Sequence, residues 1–152
     1  MATELVAPIT VDLRTEDLRM DIIKGMEKLN LKDEPITSGL ALEAGDWAVN
    51  GSSGLAAPGV TAVANTYPVW VGNDQLDSQA TGKATLILGG GFLYRTTKIV
   101  AGSYTKGQNL TVKDLGGGEK IPSAAGGSDP VMARIYTPTD AAGVTEIEVL
   151  NR

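Results

Sequence analysis

The chain has 152 residues, of which 42% are apolar, and its 13 basic and 18 acidic side chains give a net charge of −5. It contains neither cysteine nor histidine, so disulfides and thiol chemistry are excluded and the usual general base and metal ligand are missing. The acidic balance argues against nucleic-acid binding, and no apolar run is long enough for a membrane span. We therefore expect one domain with an appendage, without a metal or another cofactor.

The glycines and the charges are distributed unevenly along the chain. Of the 19 glycines only Gly25 precedes residue 35, whereas 13 of the 31 charged side chains lie in the first 34 residues. This asymmetry predicts two parts: an N-terminal arm and helix over residues 1–34, and a β domain over residues 35–152.

Residues 1–13 have the pattern of an extended arm. Ile9 and Val11 alternate with polar neighbours, which is the period of a strand. Pro8 favours extended backbone before it and removes a backbone donor, so this segment is suited to an edge or an added strand. The first residues also lack the basic and apolar regions of a secretion signal, and we expect no export.

An amphipathic helix is predicted next. Thr15 can serve as its N-cap, and Leu18, Ile22, Met26 and Leu29 recur at helical spacing. A helix of this length is marginal alone in water, and Gly25 weakens it further by about 1 kcal/mol. It therefore needs a surface to pack on, supplied either by its own β domain or by a partner.

From Pro35 onward, short apolar runs alternate with turns rich in glycine, which predicts a small β-sandwich or barrel. The predicted strands cover residues 40–42, 47–49, 60–64, 67–71, 84–88, 92–100, 110–113, 131–136 and 144–150. Two long irregular stretches, Asn50–Gly59 and Gly116–Asp129, are predicted to be either interaction surfaces or exposed loops.

Catalytic candidates are few. Ser52 and Ser53 stand between glycines, but no imidazole is present to activate either hydroxyl. A carboxylate pair remains the alternative for a small hydrolase, although most of the candidates lie in predicted turns. These candidates are Asp74, Asp77, Asp114, Asp129, Asp140, Glu146 and Glu148. We expect no enzyme and assign no catalytic residue.

The aromatic residues allow two interpretations. Trp47 and Trp70, together with Tyr67, can form a platform for sugar stacking, which would make the protein a carbohydrate-binding module. Both tryptophans lie in apolar strand segments, which favours packing instead. We assign Trp47, Trp70, Phe92 and Tyr94 to packing in the core or between copies of a trimer.

Several stretches together resemble the decoration (cement) proteins of tailed-bacteriophage capsids. They are the turn at Leu42–Trp47, the glycine-led strand at Gly82–Leu86, the segment Tyr104–Val112, the Asp-Pro-Val and Ala-Arg-Ile run at Asp129–Ile135, and the final strand at Gly143–Val149. The resemblance covers about two thirds of the chain, and its motifs are structural. The predicted helix has no counterpart in the family pattern.

The resemblance implies a mainly β fold of the small β-barrel or β-tulip-like type, with an N-terminal arm. It also implies a homotrimer on the exterior of a virion capsid, made in the host cytoplasm, that binds the major capsid protein and bridges its subunits. Neither nucleic acid nor membrane is an expected partner. A tail or connector appendage of the virion is the related alternative. The residues expected to contact the capsid are Leu5, Val6, Ile9, Val11, Leu18, Ile22 and Met26.

Overall fold

The computed structural model describes residues 19–37, 40–70, 82–141 and 143–150. These residues form a mainly β protein with antiparallel sheets, as the sequence predicts. The strands are β1 (Asp21–Lys24), β2 (Asn30–Pro35), β3 (Trp47–Gly51), β4 (Gly54–Ala56), β5 (Thr66–Pro68), β6 (Lys83–Leu88), β7 (Phe92–Thr96), β8 (Asn109–Val112), β9 (Pro122–Ala124), β10 (Ala133–Thr137) and β11 (Thr145–Val149).

The largest sheet has six strands in the order β1-β7-β11-β10-β8-β9. Its two faces differ because side chains alternate along each strand. Ile147 lies opposite Tyr94, and both are buried. The neighbouring pair, Glu146 and Arg95, belongs to the opposite face, where charges of opposite sign lie across the strands. This alternation directs the larger core to one side of the sheet.

Two smaller sheets, β2-β6 and β4-β3-β5, complete the fold. Isolated bridges join them, one between Ile36 and Leu55 and one between Val69 and Leu86. The predicted mainly β fold is confirmed, but the described strands do not close into a barrel. They form three separate sheets, and the two smaller sheets are connected by single bridges instead of a continuous ladder. The two small sheets still enclose a core of apolar side chains without closing into a barrel.

Two hydrophobic cores share strands β3 and β6. Trp47 belongs to the larger core and Ala48 to the smaller one, so β3 contributes to both. On β6, Leu86 points to the smaller core and Ile87 to the larger one. Both strands are thus covered on two faces, which explains why their sequences are apolar at consecutive positions.

The predicted helix over residues 15–29 is wrong for its described portion. Residues 21–24 form β1, in which Ile22 pairs with Tyr94 of β7, and a single 3-10 turn follows at Met26–Lys28. Gly25 has φ +88°, and a Cβ there would lie 2.8 Å from the carbonyl oxygen of Gly91. This left-handed glycine interrupts helical backbone, while the edge of β7 satisfies the hydrogen-bonding groups of residues 21–24. Leu18 lies outside the described residues.

The predicted boundary between residues 34 and 35 falls at the end of β2. Every residue of β2 pairs with β6, from Asn30 opposite Leu88 to Pro35 opposite Lys83. The strands that precede this boundary are therefore joined by ladders to strands that follow it.

The long predicted loops contain two strands that the sequence did not indicate. β4 pairs with β3 through a tight hairpin at Ser52 and Ser53, with Gly51 opposite Gly54, which accounts for this serine pair as a turn. β9 begins at Pro122 and is an edge strand, the position in a sheet where proline is tolerated. In contrast, residues 60–64, predicted as a strand, lie outside the ladders.

Candidate partner-contact surface

The expected capsid-contact residues lie in different places. Leu5, Val6, Ile9, Val11 and Leu18 are outside the described residues. Ile22 is half-buried in β1 and packs against the larger core. The side chain of Met26 is 53% exposed in the 3-10 turn that follows β1. The structure therefore separates Ile22 from Met26, because one contributes to the core and the other faces solvent.

The aromatic residues lie mainly inside the protein. Trp47 is fully buried, and its indole Nε1 donates a hydrogen bond to the hydroxyl of Tyr94 at 3.2 Å. The ring centroid of Tyr94 is 6.0 Å from that of Phe92, which is also buried. Trp70 is half-buried and packs against the same core. Trp47 is therefore inaccessible to a sugar, and the proposed two-tryptophan platform loses one of its members.

Two exposed apolar side chains each follow a residue at which two loops are joined. The amide of Asp114 donates a 2.8 Å hydrogen bond to the carbonyl of Gly59. The next residue in each loop is apolar: Val60 is 75% exposed and Leu115 is 52% exposed. We call these two residues with their loops the Val60–Leu115 surface. Because exposed apolar side chains on joined loops can be buried by a partner, this surface is a candidate protein-contact site.

The loop that carries Leu115 is held by two acidic side chains. Asp114 Oδ1 accepts hydrogen bonds from the amides of Gly116 and Gly118, each at 2.8 Å. These bonds lower the pKa of the Asp114 carboxyl below its ordinary value. Glu119 Oε1 accepts from the amides of Leu115 at 2.8 Å and Gly117 at 3.0 Å. A glycine-rich segment is thereby fixed by four bonds to carboxylates.

An ion pair holds the adjacent loop. Lys113 Nζ lies 2.8 Å from Asp129 Oδ2, which also accepts a 2.8 Å hydrogen bond from the amide of Gly126. The bond from Lys113, followed by that from Gly126, lowers the pKa of Asp129. Because Lys113 directly precedes Asp114, this pair braces the base of the loop that carries Leu115.

The other described carboxylate candidates are engaged in local structure. Asp140 Oδ1 accepts from the amide of Val144 at 3.1 Å, in the turn before β11. Glu146 Oε1 accepts from the Thr137 hydroxyl at 2.7 Å, across two strands. Glu148 is exposed on the outer face of the large sheet. Asp74 and Asp77 lie outside the described residues.

The described ranges contain neither a cluster of metal ligands nor a membrane-spanning helix. No three His, Cys, Asp or Glu side chains come together there in a way that could hold a metal ion. No helix in the same ranges has the length and apolar character needed to cross a bilayer.

Comparison of the chain with protein-family models, curated proteins and solved structures finds no match.

Sequence reasoning did not single out Val60 or Leu115. Each residue directly adjoins one of the predicted long loops, since Val60 follows Gly59 and Leu115 precedes Gly116. The loops were expected to be interaction surfaces or exposed segments, but Val60 was placed in a predicted strand. A bulky apolar residue beside a glycine-rich loop was the signal that could have identified both.

Proposed function

We propose that this protein is a non-enzymatic structural component of a virion, which binds the outer surface of a phage capsid and stabilises the capsid by bridging neighbouring major capsid subunits. The observation that supports the proposal best is the Val60–Leu115 surface. It combines two exposed apolar side chains with backbone that is already fixed by hydrogen bonds.

A fixed contact surface favours binding because little freedom is lost on association. Ordering one mobile side chain at an interface costs about 0.5–1.5 kcal/mol, and ordering loop backbone adds to that cost. In the loop after Leu115, the amides of Gly116, Gly117 and Gly118 are already bonded to carboxylates. Burial of Val60 and Leu115 against a partner would therefore contribute to affinity with a small entropic cost.

Arg19, the first described residue, is held against the domain. Its carbonyl accepts a hydrogen bond from the Thr96 hydroxyl. Gly45 lies so close to Arg19 that a Cβ at Gly45 would be 2.3 Å from the same carbonyl oxygen. In the proposal, residues 1–13, which precede this point in the chain, bind an adjacent capsid subunit by adding a strand to its sheet. In a homotrimer three such arms would raise attachment by about 10²- to 10⁴-fold through effective concentration.

The first experiment is cosedimentation of the purified full chain with mature shells of the phage whose genome encodes it. The double variant Val60→Asp/Leu115→Asp should lose at least about tenfold in affinity, because two charges replace apolar contacts. Leu31→Asp is the matched control, since Leu31 is 43% exposed on β2, and it should bind as the wild type does. Equal binding by all three proteins would contradict the role of the Val60–Leu115 surface.

A second experiment tests the arm and the assembly. The full chain should form a trimer of three times 15.8 kDa. Deletion of residues 1–13 should leave a folded trimer, lighter by three copies of the deleted segment, but cosedimentation should be lost. Particle images should place the full chain on the capsid exterior. Retained cosedimentation would contradict the role of the arm, a monomeric mass would contradict the trimer, and density confined to the tail would replace the capsid with a tail or connector location.

A further inference from the structure

A lysine lies between two carboxylates at the start of β3. Lys98 Nζ is 2.8 Å from Glu43 Oε1 and 2.9 Å from Asp46 Oδ1. The side chain of Lys98 is 15% exposed and that of Asp46 is 6% exposed, whereas Glu43 is 47% exposed. An amine and a carboxyl group are thus held in contact in a largely dry site, with a second carboxylate at its mouth.

The backbone fixes both partners of this contact. The amide of Lys98 donates a 2.8 Å hydrogen bond to the Thr96 hydroxyl. The amide of Asp46 donates to the carbonyl of Glu43 at 2.9 Å, and the amide of Val69 donates to the carbonyl of Asp46 at 2.8 Å. Reacting groups held in one geometry gain effective concentrations of about 10⁵–10⁸ M. The fixed position of Lys98 and Asp46 therefore favours a reaction between their side chains.

Glu43 contacts both reacting groups. Its backbone amide donates a 2.8 Å hydrogen bond to Asp46 Oδ2, the carboxylate oxygen that does not face Lys98. Its side chain accepts from Lys98 Nζ at 2.8 Å. One residue therefore supplies a proton acceptor for the amine and a hydrogen-bond donor for the oxygen on which charge would develop.

We propose that Lys98 and Asp46 condense to an intramolecular isopeptide bond, with Glu43 as the catalytic residue that moves the proton. This inference is independent of the proposed function, because it concerns a bond within one chain.

The reaction balances without an oxidant or another reactant. The Lys98 ammonium gives one proton to the Glu43 carboxylate, Glu43 passes it to Oδ1 of Asp46, and the resulting amine attacks Cγ of the neutral carboxyl group. Negative charge develops on Oδ2, where the Glu43 amide stabilises it. The bond from Cγ to Oδ1 then breaks. Oδ1 leaves as water with the proton from Glu43 and a second proton from Nζ, and a neutral amide remains.

The charges around Glu43 keep its carboxyl group ionised. The hydrogen bond from Lys98 and the charge of that lysine lower the pKa of Glu43, and the charges of Arg19 and Lys120 lower it further. A carboxyl group with a lowered pKa is a weak proton acceptor, so transfer of the proton from Lys98 to Glu43 is the difficult step. We therefore expect the bond to form slowly and only in the folded protein.

The bond would connect the turn before β3 to the segment after β7. A cross-link between residues distant in sequence restricts the unfolded chain, as disulfides do. This chain has no cysteine, so an isopeptide bond would provide the covalent cross-link that a disulfide provides in other proteins.

The test is the intact mass of the full chain, measured on folded protein over several days at neutral pH. The wild type should become lighter than its sequence by one water molecule, and a tryptic fragment should contain both Lys98 and Asp46. Lys98→Arg keeps the charge but should retain the full mass. Asp46→Asn should lose ammonia instead of water, because the amide nitrogen is then the leaving group. Glu43→Gln should slow the mass loss.

A persistently full mass in folded wild type would overturn the proposal. So would a water loss that survives in Lys98→Arg, because dehydration would then lie elsewhere, as in a succinimide. Circular dichroism of each variant establishes that the compared proteins are folded. Loss of ammonia by Asp46→Asn, together with a tryptic fragment that joins residue 46 to Lys98, provides a positive signal that a succinimide cannot give.

Discussion

Trp47 donates its indole proton to the hydroxyl of Tyr94 across 3.2 Å, and both side chains are fully excluded from solvent. Trp47 lies on β3 of the three-stranded sheet, whereas Tyr94 lies on β7 of the six-stranded sheet. This bond therefore joins two sheets inside the larger core. It also satisfies a buried indole donor that has no access to water.

Removal of this hydroxyl should destabilise the protein. Tyr94→Phe preserves the ring but leaves the indole proton of Trp47 without its acceptor, at an expected cost of about 1–3 kcal/mol. Urea unfolding followed by tryptophan fluorescence measures the change. Tyr136→Phe is the matched control, because Tyr136 is 41% exposed, and its effect should stay within about 0.5 kcal/mol. Equal effects of the two variants would contradict the role of the buried bond.

Stability should fall in alkaline solution, partly because of Tyr94. Burial raises the pKa of its hydroxyl far above the ordinary value of 10.0. Above pH 10 the unfolded chain releases this proton while the folded protein keeps it, so the free energy of unfolding decreases by about 1.4 kcal/mol per pH unit. Below pH 10 the contribution is fully present. The free energy of unfolding, measured at several pH values between pH 9 and pH 11, should decrease less steeply with pH for Tyr94→Phe than for Tyr136→Phe.

The position of β1 depends on a glycine in the turn before β3. Gly45 has φ +90°, and a Cβ there would lie 2.3 Å from the carbonyl oxygen of Arg19. Gly45→Ala should therefore cost about 1–3 kcal/mol and speed amide exchange in residues 21–24. Gly127→Ala is the control, because no atom lies within 4 Å of a Cβ at that position. Unchanged exchange in Gly45→Ala would refute this anchoring of β1.

The carboxylate of Asp114 should keep its loop ordered. Asp114→Ala removes the acceptor of the Gly116 and Gly118 amides, so both amides should lose protection in hydrogen exchange measured by NMR. If the loop serves as a contact surface, binding to shells should also weaken, since the order must then be gained on association. Glu148→Ala, on the exposed face of the large sheet, should leave both measurements unchanged. Full protection in Asp114→Ala would show that other contacts order this loop.

The sequence predicted the regular β segments best where apolar residues alternate between turns. β6, β8 and β11 lie within about one residue of their predicted ranges. It failed at residues 15–29, where spacing at i and i+4 suggested a helix but the edge of β7 was available to pair with residues 21–24. It also missed β9, because proline at the first position of an edge strand has the local signature of a loop.

The Val60–Leu115 surface was also predicted only in part. The sequence marked the glycine-rich segments as exposed or interacting, but it did not pair the loop of Val60 with that of Leu115. That pairing depends on one hydrogen bond between Asp114 and Gly59, which connects residues far apart in the chain.

By itself, the sequence determined a mainly β protein without cysteine or histidine, because composition and period-two patterning are local properties. Only the tertiary structure decided that residues 21–24 and 30–35 become strands, that Trp47 is enclosed, and that Lys98 lies between Glu43 and Asp46. These outcomes depend on the sheet edges and buried surfaces formed by distant parts of the chain. Local propensity does not identify such distant partners.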